Sequence, residues 1–227
     1  NTGSHPPMLY MGMEYLRTNH LSLANHFLTS AFNMSAGDPL CCHELGVLKY
    51  RQRDYEQATQ WFERALCQPV QHSNLMEEIS NEEKGGISDR ASAAISSSSS
   101  PMESIAMCND TFWEPTIFSL GQSYRKTRHF NEALYCFDKC LSLNPSNASS
   151  YAALAFTRHL MGDLDAAVDL YHQALGRKPV DPFCTEMLNR ALEESLKGIA
   201  TTTTTAPPGN ITVTSWKKRR GGDHQRL

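Results

Sequence analysis

Cysteines are the residues of this sequence best able to do chemistry, because a thiolate can act as a nucleophile or bind a metal. The 227-residue chain contains seven of them, an odd number. Cys136 and Cys140 stand four positions apart and would share one face of a helix, a spacing that suits a metal. No second Cys or His pair with zinc-ligand spacing accompanies them. We therefore predict small buried thiols in a reducing compartment, with no metal and no cofactor.

Carboxylate, hydroxyl and imidazole groups are plentiful, but their spacing does not predict a catalytic site. The acidic pairs Glu77-Glu78 and Glu82-Glu83 lie in a polar segment that cannot hold two carboxylates in a fixed geometry. The sequence contains no phosphate-binding glycine loop, no HExxH zinc motif and no GxSxG nucleophile motif. We predict that the chain is not an enzyme.

The charge and hydropathy patterns narrow the class of partner. A net charge of −3 does not favour binding to nucleic acid. The sequence contains no run of 18 apolar residues, so it does not predict a membrane span. The segment 216–220, which is Trp216 followed by four basic residues, fits either a nuclear import signal or a solubilising terminus. The chain begins without Met or a signal-peptide pattern and enters its first repeat almost at once, so we expect a fragment of a longer protein.

A repeat with a period of 34 residues organises the chain. Small residues recur at this spacing, with one interval of 75 residues that accommodates a 41-residue insertion: Gly12, Gly46, Gly121 and Ala155. Such residues let the first helix of a pair approach the second closely. Pro145 and Pro179 keep the same spacing at positions where a helix must end. The period therefore predicts antiparallel helix pairs joined by short polar turns.

This pattern resembles the tetratricopeptide repeat, although Cys42, Lys49 and Ile117 replace aromatic residues that the family prefers. We predict an all-α tetratricopeptide-repeat α-solenoid. Its predicted parts are two repeat units in 5–70, an acidic Ser-rich disordered insertion in 71–110, two further units in 111–181, a capping helix in 182–198 and a disordered basic tail in 199–227.

Residues outside the generic repeat pattern point to one family. They include Pro7–Tyr15, His43–Val47, Asn147–Tyr151 and His159–Gly162. These stretches resemble the C-terminal repeats of the cell-division-cycle-sixteen subunit of the anaphase-promoting complex (cyclosome), a ubiquitin ligase of the cell cycle. The resemblance implies a non-catalytic scaffold that supports ubiquitination in mitosis, in the nucleus and cytoplasm. The insertion and the residues after about 197 do not share it.

The resemblance also implies the partners. In this family the C-terminal repeats wrap the extended N-terminal segment of a very small accessory subunit and contact neighbouring repeat subunits. The self-association surface lies in earlier repeats, so we expect this chain to lack the homodimerisation surface. No nucleic acid and no membrane is implied.

The repeat register predicts the side chains that line the groove, because the first helix of each pair faces the concave side of a solenoid. The predicted groove residues are Leu9, Met13, Leu16, His43, Val47, Tyr50, Phe118, Gln122, Arg125, Ala152, Phe156 and His159. This mixture of apolar side chains and a few cations suits an extended peptide with buried hydrophobic residues and some acidic or carbonyl groups.

Three questions remain open at this point. A generic co-chaperone-type adaptor would bind a C-terminal peptide, but adaptors of that kind clamp the terminal carboxylate with Lys and Asn, and only Lys126 could do so here. Individual groove residues could instead belong to the core between repeats, and His43 and His159 could be structural. The Ser-Pro pair Ser100-Pro101 could be a phosphorylation site or part of an unregulated loop.

Overall fold

The computed structural model describes residues 6–35, 38–67 and 100–203, with side-chain surroundings up to residue 197. Every regular element in these ranges is helical, which confirms the predicted all-α solenoid. The helices are α1 (Pro6–Arg17), α2 (Leu21–Ser35), α3 (Pro39–Arg51), α4 (55–67), α5 (Pro101–Met107), α6 (Glu114–Lys126), α7 (Phe130–Leu143), α8 (Ala148–Leu160), α9 (Leu164–Arg177) and α10 (Pro182–Thr203), with a 3-10 turn at Thr111–Trp113. None of the helices in this part of the chain is long and apolar enough to cross a membrane.

Each helix pair closes through the same turn, one residue of which has a positive φ. These residues are Asn19 (61°), Arg53 (65°), Arg128 (65°) and Gly162 (85°). In the third pair the amide of His129 donates to the carbonyl of Tyr124 at 2.9 Å, and the preceding amide donates to Arg125 at 3.3 Å. This is the hydrogen-bond pattern of a Schellman motif, which satisfies the last carbonyls of the first helix. The turn therefore reverses the chain within three residues, as the polar turn positions predicted.

Glycines in the first helices allow close contact with the second helices. A Cβ at Gly121 of α6 would lie 2.8 Å from Cε1 of Phe137 on α7, and a Cβ at Gly12 of α1 would lie 2.5 Å from Cδ2 of Leu28 on α2. Real Cβ atoms do not approach this closely, so only glycine fits. The role predicted for the recurring small residues is confirmed at these positions.

Helix α5 overturns part of the predicted disordered insertion. The Ser100 amide donates to the Glu103 carboxylate at 3.0 Å, and the Ser100 hydroxyl oxygen accepts from the amide of Met102, which completes a capping box. Ile105 is fully buried in a core shared with α4, α6, α7 and α8. Lys139 of α7 donates to the carbonyl of Ala106 at 3.0 Å.

The prediction of disorder is therefore wrong for residues 100–110, where Cys108 is also buried. The short helix α5 is stabilised by its capping box and by the packing of its buried Ile against α7. The sequence-based prediction missed it because it used the average composition of about forty residues, in which a local helix signal is lost. The remainder of that predicted segment, residues 71–99, lies outside the described residues.

Helix α10 begins at the predicted residue and extends further than predicted. The Asp181 carboxylate accepts from the amide of Cys184 at 3.1 Å, which caps the helix start at Pro182. The helix continues through Gly198 to Thr203, because one glycine costs only about 1 kcal/mol in a helix and does not terminate it. Residues 199–203 are thus helical and not part of a tail, while residues 204–227 lie outside the described residues.

Candidate functional site

The first helices α1, α3 and α6 are neighbours, and two cavities lie between them. The larger, of about 530 Å³, lies between α1 and α3 and is lined by Tyr10, Met13, Glu14, Leu16, Arg17, Glu44, Val47 and Arg51. The smaller, of about 330 Å³, lies between α3 and α6 and is lined by Val47, Tyr50, Arg51, Phe62, Phe118, Ser119 and Gln122. Because Val47 and Arg51 border both cavities, the two are adjacent on one surface, which we call the groove.

Half of the predicted groove residues line these cavities. They are Met13, Leu16, Val47, Tyr50, Phe118 and Gln122. Arg125 lies beside the smaller cavity, since its guanidinium donates a hydrogen bond to the side-chain oxygen of Gln122. The tertiary structure thus brings residues from the first three repeat units onto one surface, and their contact with a peptide stays a prediction.

Two predicted groove residues turn into the protein. Leu9 is only 3% exposed, packs within the core of the first two helix pairs and lines neither cavity, so its prediction as a groove contact is wrong. His43 shares a hydrogen bond of 3.0 Å between its Nδ1 and the hydroxyl of Thr116, and its ring lies 5.6 Å from that of Phe62. Burial lowers the pKa of His43 to about 4. This histidine is therefore a neutral structural link between α3 and α6.

The predicted positions of the fourth unit contact α10. The ring of Phe156 packs edge-on against Phe183 with centroids 5.5 Å apart, and His159 Nε2 lies 3.1 Å from a carboxylate oxygen of Glu194. Ala152 packs in the same cluster. These three residues line a packed interface and do not extend the open groove. The repeat register could not predict this interface, because its contacts come from α10, which follows the last helix pair and lies outside the repeat.

The charges of the groove differ along its length. In the larger cavity Arg17 pairs with Glu14 at 2.6 Å. Burial raises the pKa of Glu44, and the charge of Arg51 opposes that rise. Beside the smaller cavity, burial lowers the pKa of Arg125, whose guanidinium carbon lies 4.8 Å from the ring centroid of Phe156. The α1–α3 side of the groove therefore carries both signs of charge, whereas the cation on the α6 side has no carboxylate partner within the ranges that the structure describes.

Among the lining residues that sequence reasoning missed are Tyr10, Glu14, Glu44, Phe62 and Ser119. Phe62 belongs to the second helix α4 and is fully buried, but its ring lines the smaller cavity beside Gly46, whose missing side chain allows the ring to lie close to α3. Gly46 was the feature of the sequence from which the position of Phe62 at the groove could have been predicted. Glu44 and Ser119 stand three residues before Val47 and Gln122, so a wider helical stripe would have included both.

Most of the cysteines are buried, which disfavours their thiolate form. Six of the seven are buried, and all seven are free thiols. Burial raises the pKa of Cys140 to about 12 and that of Cys42 to about 11, so the thiolate is scarce. Within the described ranges no group of three potential ligands could hold a metal ion. The small-hydrophobe interpretation of these residues agrees with their burial.

Comparison with known proteins identifies the repeat and its relatives. Models of the tetratricopeptide repeat match residues 40–67, 116–147 and 136–169. The sequence is 36% identical over 198 residues to anaphase-promoting complex subunit 6 of Arabidopsis thaliana, covering 87% of this chain and 30% of that protein. It is 32% identical over 191 residues to the cell division cycle protein 16 homolog of Homo sapiens, covering 84% and 26%.

A solved structure shares the fold. The crystal structure of the APC/C hetero-tetramer Cut9-Hcn1 matches with a TM-score of 0.62 and 23% identity over 83% of this chain and 30% of that chain. The resemblance stated from the sequence is confirmed by these relatives. The chain spans less than a third of the length of the curated relatives it matches.

Proposed function

We propose that this tetratricopeptide-repeat chain, which is similar to subunit 6 of the anaphase-promoting complex, is a non-catalytic scaffold of a ubiquitin ligase of that type. Its groove holds the extended segment of a small accessory subunit, and its remaining surfaces contact neighbouring repeat subunits. The supporting observation is the pair of adjacent cavities along α1, α3 and α6, with apolar walls and polar rims. The related solved structure is itself an assembly of Cut9 with Hcn1.

The smaller cavity has the size and lining expected for a peptide side chain. Val47, Phe62 and Phe118 supply apolar walls, and burial of one Leu or Phe side chain there would contribute about 1.5–3 kcal/mol. Ser119 and Gln122 stand at the same cavity and offer hydrogen bonds to a peptide backbone. An extended segment, which presents its backbone and alternate side chains together, fits this arrangement.

The kind of relatives supports the proposed scaffold role, because they are subunits of the anaphase-promoting complex and its cell-division-cycle-sixteen homologues. The ubiquitin-transfer chemistry of such a ligase would belong to other subunits, and this chain would act in cell division, in the nucleus and cytoplasm. The repeat architecture supports this role, since stacked helix pairs present long surfaces for protein contacts.

A binding measurement with a blocked cavity tests the proposal. We expect the full chain to bind the extended N-terminal segment of the accessory subunit from the same organism, as measured by fluorescence anisotropy. Ser119→Trp places an indole in the smaller cavity and should weaken binding at least about tenfold. Ser142→Trp is the matched control, because Ser142 is exposed on α7 and lines neither cavity.

Two results would overturn the proposal. The first is no binding by the folded chain, and the second is equal weakening by both Trp variants. Amidation of the peptide C-terminus separates the proposal from the co-chaperone-type alternative, because only an adaptor that clamps the terminal carboxylate would lose affinity.

A further inference from the structure

Arg125 is a half-buried cation with no acidic partner among the described residues. Its guanidinium lies against the ring of Phe156 and donates one hydrogen bond, to Gln122. The titratable groups close enough to affect its charge are Tyr50 and Tyr171. Both phenols are neutral at physiological pH, because burial raises the pKa of each. An arginine has five N–H donors, so four of them find no acceptor in the described part of the chain.

Several other arginines of the described chain have a carboxylate partner or a backbone hydrogen bond that Arg125 lacks. Arg17 pairs with Glu14 at 2.6 Å, and Arg190 pairs with Glu194 at 2.9 Å. Arg51 donates to the carbonyl of Leu16 and lies near the carboxylate of Glu44. The two arginines that line the cavities, Arg17 and Arg51, are therefore engaged within the chain, whereas Arg125 beside the smaller cavity has no acidic partner among the described residues.

The surroundings of Arg125 fix what it can bind. Its contact with Phe156 holds the planar guanidinium, which reduces the entropy lost when a ligand pairs with it. Partial burial strengthens pairing with an anion, because water screens the charges less. Gln122 connects Arg125 to the smaller cavity, which it lines together with Tyr50 and Phe118. A ligand there would place an apolar group in the cavity and an anionic group at the guanidinium.

We propose that Arg125 binds the side-chain carboxylate of an Asp or Glu in the partner's extended segment, next to a bulky apolar residue of that segment in the smaller cavity. This inference rests on the proposed function and adds to it the sequence preference of the groove. A carboxylate can accept two parallel N–H bonds from one guanidinium, which a backbone carbonyl cannot.

An internal acidic side chain fits this site better than a chain terminus does. A terminal-carboxylate clamp collects several Lys and Asn side chains at one point, whereas a single guanidinium is free here. Of the nearest other cations, Arg51 is engaged by Leu16 and Lys126 lies over the ring of Tyr55 at 5.9 Å. Arg125 with the smaller cavity beside it therefore indicates a ligand in which one acidic residue stands next to one apolar residue.

A peptide scan combined with substitutions in the chain tests the inference. The probes are acetylated and amidated 15-residue peptides that tile the accessory subunit's extended segment, with each Asp or Glu replaced in turn by Asn or Gln. We expect one acidic residue whose replacement weakens binding to the full chain about tenfold or more. The substitution Arg125→Gln should weaken the parent peptide equally and leave the peptide with that acid replaced unaffected. Arg125→Lys should give an intermediate loss, because the ammonium keeps the charge without the two parallel bonds.

Arg128→Gln is the matched control, because Arg128 lies three residues further along, exposed in the turn after α6, and should not change affinity. Circular dichroism establishes that each variant is folded. Binding without any acid dependence, or an acid dependence that survives Arg125→Gln, would each overturn the inference while leaving groove binding intact. Failure of every peptide to bind would instead contradict the proposed function.

Discussion

Gly46 lies directly against the ring of Phe62, and this contact sets the spacing between α3 and α4. A Cβ at position 46 would lie 2.6 Å from Cε1 and 2.7 Å from Cδ1 of that ring, which is fully buried. The same glycine leaves one edge of Phe62 at the smaller cavity, so it serves both the packing of the repeat and the lining of the groove.

The first prediction concerns this close approach. Gly46→Ala should lower the free energy of unfolding by about 1–3 kcal/mol, because the overlap exceeds the helix-propensity gain of about 1 kcal/mol. Gly176→Ala is the control within α9, where an added Cβ meets nothing within 4 Å, and should be neutral or slightly stabilising. Urea unfolding followed by circular dichroism measures both. Equal effects of the two substitutions would contradict the packing argument.

The second prediction concerns the turns with positive φ. Arg128 has a φ of 65°, which a residue with a Cβ adopts at a cost, and its side chain is exposed. Arg128→Gly should therefore raise the free energy of unfolding by about 0.5–1 kcal/mol, and Gly162→Ala at the same position of the next turn should lower it by about 1 kcal/mol. Thermal unfolding of both variants checks the signs. A loss of stability in Arg128→Gly would show that the Arg side chain has a stabilising contact.

The third prediction tests whether α5 is part of the folded core. Ile105→Ala removes a fully buried side chain and should cost about 2–5 kcal/mol. Met107→Ala in the same helix should have little effect, because Met107 is 59% exposed. Chemical denaturation of the two variants gives the comparison. If Ile105→Ala is as mild as Met107→Ala, α5 does not contribute to the stability of the α4–α7 region.

The fourth prediction concerns pH. The folded-state pKa of His43 is about 4, below its ordinary value of 6.5, so between these values the unfolded chain binds a proton that the folded chain does not. Stability should therefore fall as the pH drops from about 6.5 to about 4, by at most about 3 kcal/mol from this residue. The free energy of unfolding measured at several pH values tests the slope.

The variant His43→Asn isolates this contribution. It should be less stable than the parent at pH 7.5, because Thr116 loses its partner, and the difference should shrink as the pH falls. His26→Asn, at an exposed position of α2, should follow the parent throughout. A constant difference between parent and His43→Asn from pH 7.5 to 4.5 would refute the assignment of the low pKa.

The 34-residue period was sufficient to predict the helix pairs, their turns and the glycines at the close contacts. These features depend on interactions within a repeat and between adjacent repeats, so they leave a periodic trace in the sequence. The turn residues Arg53, Arg128 and Gly162 fall at one repeat position for this reason, although they differ in type. The resemblance to the subunit 6 family was likewise present in residues outside the repeat pattern.

The direction of individual groove side chains was not determined by the period. His43 bonds to Thr116, 73 residues away across the insertion, and Phe156 and His159 contact α10, which follows the last helix pair. Contacts of this kind depend on how helices separated in sequence come together, and a register counted within one helix cannot show them.

The sequence alone therefore determined the architecture, because each helix pair is specified by its own small, aromatic and proline positions. Only the tertiary structure decided that Leu9 is core, that α5 packs into the core shared with α4, α6 and α7, and that Arg125 stands beside an apolar cavity without an acidic partner among the described residues. The physical reason is that burial and charge pairing depend on every helix around a side chain, and α10 and α5 lie outside the repeating pattern.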